Sequence, residues 1–109
     1  MLYDRDLAIS MMGDAALFDE LTLMFVDDAP GYLAELDSAL AAGHFEDLAR
    51  TAHTLKGLFA TFAAEAFRER ALDLEMAAKA GDAELCRDLI PQVKENVQAL
   101  SAAFSAAAQ

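Results

Sequence analysis
The chain has a single cysteine, two prolines, five glycines and no tryptophan. One cysteine, Cys86, excludes an internal disulfide and a cysteine-based metal cluster; it reads as a half-buried small apolar residue on a helix. Basic residues are scarce: 8 Lys and Arg stand against 19 Asp and Glu, for a net charge of −11. Such a chain repels nucleic acid and anionic membranes, so neither is an expected partner. It suits a docking face that is basic or carries a metal, although acidic residues also keep an alanine-rich chain in solution. Hydrophobic residues make up 56%, yet no apolar run approaches the ~18 residues of a membrane span. The start, Met1-Leu2-Tyr3-Asp4-Arg5-Asp6, lacks the positive region and apolar core of a signal peptide. A cytoplasmic protein is expected. There is no HExxH, no glycine-rich phosphate loop and no Ser/His/Asp signature, and no resident metal or ATP site is expected.

What is present is helix former. Alanine, leucine, glutamate and methionine dominate, no strand pattern appears, and 109 residues suit one domain, 1–109, with one core. A short helix is expected over 3–11, ending near Gly13. Asp14 caps a second, whose stripe is Leu17, Leu21, Met24, Phe25, Tyr32, Leu33, Leu36 and Leu40. It continues to Gly43 across Pro30, where a kink is expected. A third segment runs from about 45 to 64, with Leu48, Ala52, Leu55, Phe59 and Phe62 as its buried stripe. A fourth runs from about 66 to 80 and stops at Gly81. Asp82 caps the fifth, with Leu85, Leu89, Val93, Val97, Leu100 and Phe104 inward, an irregularity or late start at Pro91, and fraying from Ser105 to Gln109. Short connections imply an all-α, up-down antiparallel four-helix bundle with a short extra N-terminal helix.

The third segment carries Ala52-His53-Thr54-Leu55-Lys56-Gly57-Leu58. Histidine titrates nearest neutrality, so its ring can present a free nucleophilic nitrogen. Residues on a helix are about 100° apart, which places His53 roughly 140° from the centre of the apolar stripe. Ala49, Lys56, Gly57, Ala60 and Ala64 lie within about 60° of it. His53 thus stands on a strip of small residues with Lys56 as its nearest charge. The plain alternative is a small-residue strip for helix packing, but a lysine sits badly in such a seam. His44, at the start of the same segment, reads as a solvated first-turn residue.

The run Arg50-Thr51-Ala52-His53-Thr54-Leu55-Lys56-Gly57 resembles the histidine-containing phosphotransfer (HPt) domains of two-component phosphorelays. The likeness extends to Gly13-Asp14 with Leu17, Leu21 and Phe25, to Leu36-x-x-Ala39-Leu40, and to Leu74-Glu75 before Gly81-Asp82. The resemblance implies a bundle with four antiparallel helices. It makes His53 the phosphorylated residue, through Nε2, with Lys56 steadying the phosphoryl group and Gly57 leaving room for it. Glu75 stands where kinase-linked members can carry a glutamate that accepts a hydrogen bond from the unreactive ring nitrogen; an exposed helix carboxylate is the competing reading. Ala49, Arg50, Thr54, Leu58, Ala60, Thr61 and Ala64 would form the docking surface. Partners would be receiver domains, which would bring Mg²⁺, and a hybrid sensor kinase; a monomer is expected. Three positions depart from the pattern. Leu58 would enlarge the apolar docking surface, and Phe59 would alter packing. Ala63 stands for a common glycine, a change expected to favour helix. A phosphoacceptor domain of a chemotaxis-type kinase and a binding-only regulator stay open beside the phosphocarrier.

Overall fold
The computed structural model describes residues 1–108, and among them are five helices and no strand. They are α1 (Arg5–Met12), α2 (Ala15–Ala42), α3 (Phe45–Thr61), α4 (Glu65–Lys79) and α5 (Ala83–Ala107). Helix α2 packs against α3 and α5, α4 packs against the same two, and α1 lies on α2. No helix among the described residues is long and apolar enough to cross a membrane.

The helix starts follow side-chain chemistry. Asp4, Asp14 and Asp82 each accept a hydrogen bond from the backbone N–H three residues on, at Leu7, Leu17 and Leu85. This satisfies amides that have no partner within the helix. Both prolines lie inside helices, α2 continuing through Pro30 and α5 through Pro91. Of the irregularity or late start expected at Pro91, the late start is absent, since α5 begins at Ala83. Ser105 to Ala107 are helical instead of frayed; Gln109 lies outside the described residues.

Three helix ends share one hydrogen-bond pattern. After α2, His44 N–H donates to Ala39 O and Gly43 N–H to Leu40 O. After α4, Asp82 N–H donates to Ala77 O and Gly81 N–H to Ala78 O. After α3, Ala64 N–H donates to Phe59 O and Ala63 N–H to Ala60 O. These are Schellman turns, which need one residue in the left-handed region. Gly43 (φ 69°) and Gly81 (φ 67°) supply it at no steric cost; Ala63 supplies it at φ 54°. The expectation that Ala63 favours helix is therefore wrong. Its Cβ crowds a conformation that costs an L-residue roughly 1–2 kcal/mol. The third segment stops at Thr61, three residues short of the expected end, because the chain turns at Ala63.

The core carries α3 on a bed of aromatic rings. Phe62 lies 4.8 Å from Phe104 and 5.7 Å from Phe25 between ring centroids. Phe59 meets Phe67 of α4 at 5.6 Å. Edge-on pairs of this kind add roughly 0.5–1.5 kcal/mol each beyond their burial. Leu48, Ala52, Leu55, Phe59 and Phe62 are all buried, as the wheel requires. The stripe of α2 is shifted from expectation: Leu17 and Met24 are exposed, while Phe18, Phe25, Ala29 and Leu36 are buried. In α5 the inward residue is Cys86, fully buried, and Leu85 is exposed. Burial pushes the Cys86 thiol pKa up, with Asp82 adding to it.

Candidate functional site
His53 lies in the middle of α3, whose opposite face is locked into the core by Leu55 and Phe59. Its side chain is 65% exposed. Glu75 projects from α4, one helix over, and its side chain is only 4% exposed. His53 Nδ1 lies 2.9 Å from Glu75 Oε2. Lys56 Nζ donates to the other oxygen, Oε1, at 2.6 Å. Lys79 Nζ, one turn along α4, lies 3.2 Å from Oε2. One buried carboxylate thus gathers an imidazole and two ammonium groups.

A buried charge is unfavourable unless paired and hydrogen-bonded. Burial acts to raise the Glu75 pKa, but the hydrogen bonds of Lys56, Lys79 and His53 outweigh it and hold the carboxyl down at about 2. Glu75 is therefore ionised at neutral pH. An ionised carboxylate can only accept hydrogen bonds. Nδ1 must then carry the ring proton, and the lone pair resides on Nε2. The arrangement selects one tautomer of an exposed histidine and leaves its other nitrogen free to attack an electrophile.

Arg50, Thr54, Gly57 and Ala60 are exposed along α3 with His53, and Lys56, Leu58 and Thr61 are half-buried. A Cβ built on Gly57 would meet no atom within 4 Å. Nothing inside the fold requires glycine there, although it weakens a helix by roughly 0.8–1.0 kcal/mol relative to alanine. The Thr61 hydroxyl donates to Gly57 O at 2.9 Å, one turn back on the same helix. Arg50 pairs with Asp47 at 2.9 Å. Beside this strip a groove between α2 and α3 is lined by Asp28, Tyr32, Glu35, Asp47, Arg50 and Thr54. Burial, then the nearby Asp28 charge, raise the Tyr32 pKa.

Two residues expected on the docking surface are not there. Ala49 is 8% exposed and Ala64 0%. Ala64 fails because α3 ends at Thr61, so the helical wheel does not reach it; it precedes α4 instead. Ala49 falls on the buried edge beside Leu48 and Ala52. Sequence reasoning also missed Lys79. The one signal for it was its spacing, four residues after Glu75, which puts the two on one helix face. Among the described residues no group of three or more His, Cys, Asp or Glu is placed to hold a metal ion.

A family model described as "Hpt domain" matches residues 20–103. Among solved structures, the chain is similar to histidine-containing phosphotransfer protein B from Pseudomonas aeruginosa PAO1. The two are 26% identical, over 95% of this chain and 91% of that one, with a TM-score of 0.84. It also shares its fold with the HPT domain of a sensor hybrid histidine kinase from Shewanella. There the identity is 18%, over 97% of this chain and 92% of that one, with a TM-score of 0.85. No curated protein sequence matches.

Proposed function
The chain belongs to the Hpt domain family, which carries phosphoryl groups on histidine in two-component phosphorelays, and from that premise we propose that His53 is the carrier residue here. The observation that carries the reading is the 2.9 Å contact between Nδ1 of an exposed His53 and a buried, ionised Glu75. In the step envisaged, the Nε2 lone pair attacks the phosphorus of an aspartyl phosphate on a receiver domain. The N–P bond forms as the P–O bond breaks, and the leaving electron pair stays on the aspartate. The ring becomes positively charged, and Glu75 beside Nδ1–H balances that charge.

Phosphoryl transfer needs in-line approach and neutralised oxygens. Lys56 is a cation one turn along the histidine's own helix, held on the same carboxylate as His53, and Gly57 gives room beside it. The receiver brings Mg²⁺ and the greater part of the catalysis. The protein is thus a phosphocarrier without an ATP site of its own, passing phosphate between receivers and a hybrid sensor kinase. It acts as a cytoplasmic monomer and a single domain over 1–109. Helices α2–α5 form the up-down antiparallel bundle, and α1 is the extra N-terminal helix. Arg50, Thr54, Leu58, Ala60 and Thr61 surround His53 on the docking face.

The test is incubation with a panel of phosphorylated receivers. Wild type takes up acid-labile phosphate and His53→Gln takes up none, while its circular dichroism keeps the helical signal. Undiminished labelling of the variant overturns the assignment. The Glu75 contact also favours a second reading, the phosphoacceptor domain of a chemotaxis-type kinase. That reading requires labelling by a histidine kinase and ATP with no receiver present.

A further inference from the structure
Glu75 has more positive charge around it than its own charge requires. Lys56 occupies Oε1 at 2.6 Å, and Oε2 is shared by His53 Nδ1 at 2.9 Å and Lys79 Nζ at 3.2 Å. Two ammonium groups on one carboxylate leave the cluster with one net positive charge. The second ammonium is the unexpected one. Lys79 is 61% exposed, and an exposed lysine has no need of a buried partner. It reaches the same oxygen that accepts the hydrogen bond from the imidazole N–H.

The need for it becomes plain when phosphate arrives. Lys56 is the α3 cation that shares Glu75 with His53, and a new dianionic phosphoryl group competes with Glu75 for it. If Lys56 turns outward, Glu75 loses the donor on Oε1. A carboxylate only 4% exposed would then be poorly compensated. We propose that Lys79 is a positioning residue that anchors Glu75 Oε2, so that the carboxylate keeps the Nδ1–H form of His53 while Lys56 is released to the phosphoryl group. Lys79 itself touches neither the reacting nitrogen nor the phosphate. The inference rests on the phosphocarrier reading for the release of Lys56, but its claim on the resting tautomer does not.

Lys79→Met, Lys79→Arg and Glu75→Gln are compared with wild type, together with the Lys79→Met/Glu75→Gln pair. Labelling uses potassium phosphoramidate, a small donor that needs no docked partner, and ¹⁵N imidazole NMR reads the tautomer. Lys79→Met slows labelling about fivefold, the equivalent of ~1 kcal/mol, and increases the Nε2–H form of His53. Lys79→Arg restores both. In the Glu75→Gln background Lys79→Met changes neither, because its route to the histidine is gone. An equal slowing in both backgrounds overturns the proposal, since Lys79 would then act on the phosphate directly. An unchanged tautomer and rate in Lys79→Met overturns it as well. If wild type takes no phosphate from any donor, the phosphocarrier reading fails, and the tautomer data still judge the link from Lys79 to Glu75.

Discussion
On the inner side of His53, a carboxylate that is 4% exposed is held by two lysines and accepts a hydrogen bond from Nδ1–H. On the outer side, along the exposed face of α3, Gly57 and Ala60 present nothing larger than a methyl group. The inner side is dense, charged and fixed before any partner arrives. The outer side is open at Gly57 and Ala60, and Gly57 leaves it so at a cost in helix propensity that no internal contact requires. The difference separates two tasks. Orientation and tautomer are settled within the fold, while on the phosphocarrier reading in-line approach and metal fall to the receiver that docks over Nε2.

Removing the residue between the two sides has the largest effect. His53→Gln is expected to abolish phosphate uptake, measured as acid-labile label, with the helical fold retained. Breaking the inner side comes next. The Glu75 carboxyl is held at about 2 against an ordinary 4.5. Its contribution to stability is therefore full above about pH 4.5 and is lost as pH falls through about 2. At one pKa unit per 1.36 kcal/mol, the amount at stake is on the order of 3 kcal/mol. Urea titrations from pH 6 down to pH 2 should show that loss in wild type. Glu75→Gln should flatten the dependence, and an unaltered slope would contradict the pairing.

Breaking the outer side should leave stability intact. Gly57→Ala is expected to raise it by about 0.8–1 kcal/mol, read from the urea midpoint. Gly57→Leu should fold equally well yet slow transfer from a phosphorylated receiver about tenfold or more, while labelling by a small phosphoryl donor changes far less. Equal slowing with both donors would place Gly57 on the inner side of the comparison. The smallest effect lies away from both sides. Ala63→Gly should stabilise by about 1 kcal/mol, because it relieves the left-handed alanine at the end of α3. Phosphate transfer should not change.

Much of this was legible in the sequence, and the failures have physical causes. Asp14, Asp82, Gly43 and Gly81 announced helix ends because their chemistry suits caps and left-handed turns. Ala63 performs the same task as Gly43 and Gly81 without the residue type that advertises it, so the sequence pattern runs α3 three residues too far and puts Ala64 on the docking face. The register of α2 was ambiguous because Leu17, Phe18, Leu21, Met24 and Phe25 offer apolar residues on more than one face. Only the packed neighbours select Phe18 over Leu17. His53, Lys56 and Gly57 are close in sequence, so one helical wheel relates them. Glu75 lies on another helix, and only the resemblance pointed to it. Lys79 was reachable only after Glu75, through the helical spacing that joins them.

The central claim is that the fold holds the proton on Nδ1 and leaves Nε2 to take the phosphoryl group. ¹H–¹⁵N and ³¹P NMR of the protein phosphorylated by a receiver tests it most directly. A single phosphohistidine at residue 53 is expected, linked through Nε2, with the Nδ1 proton retained. A phosphoryl group on Nδ1, or on any other residue, would contradict it.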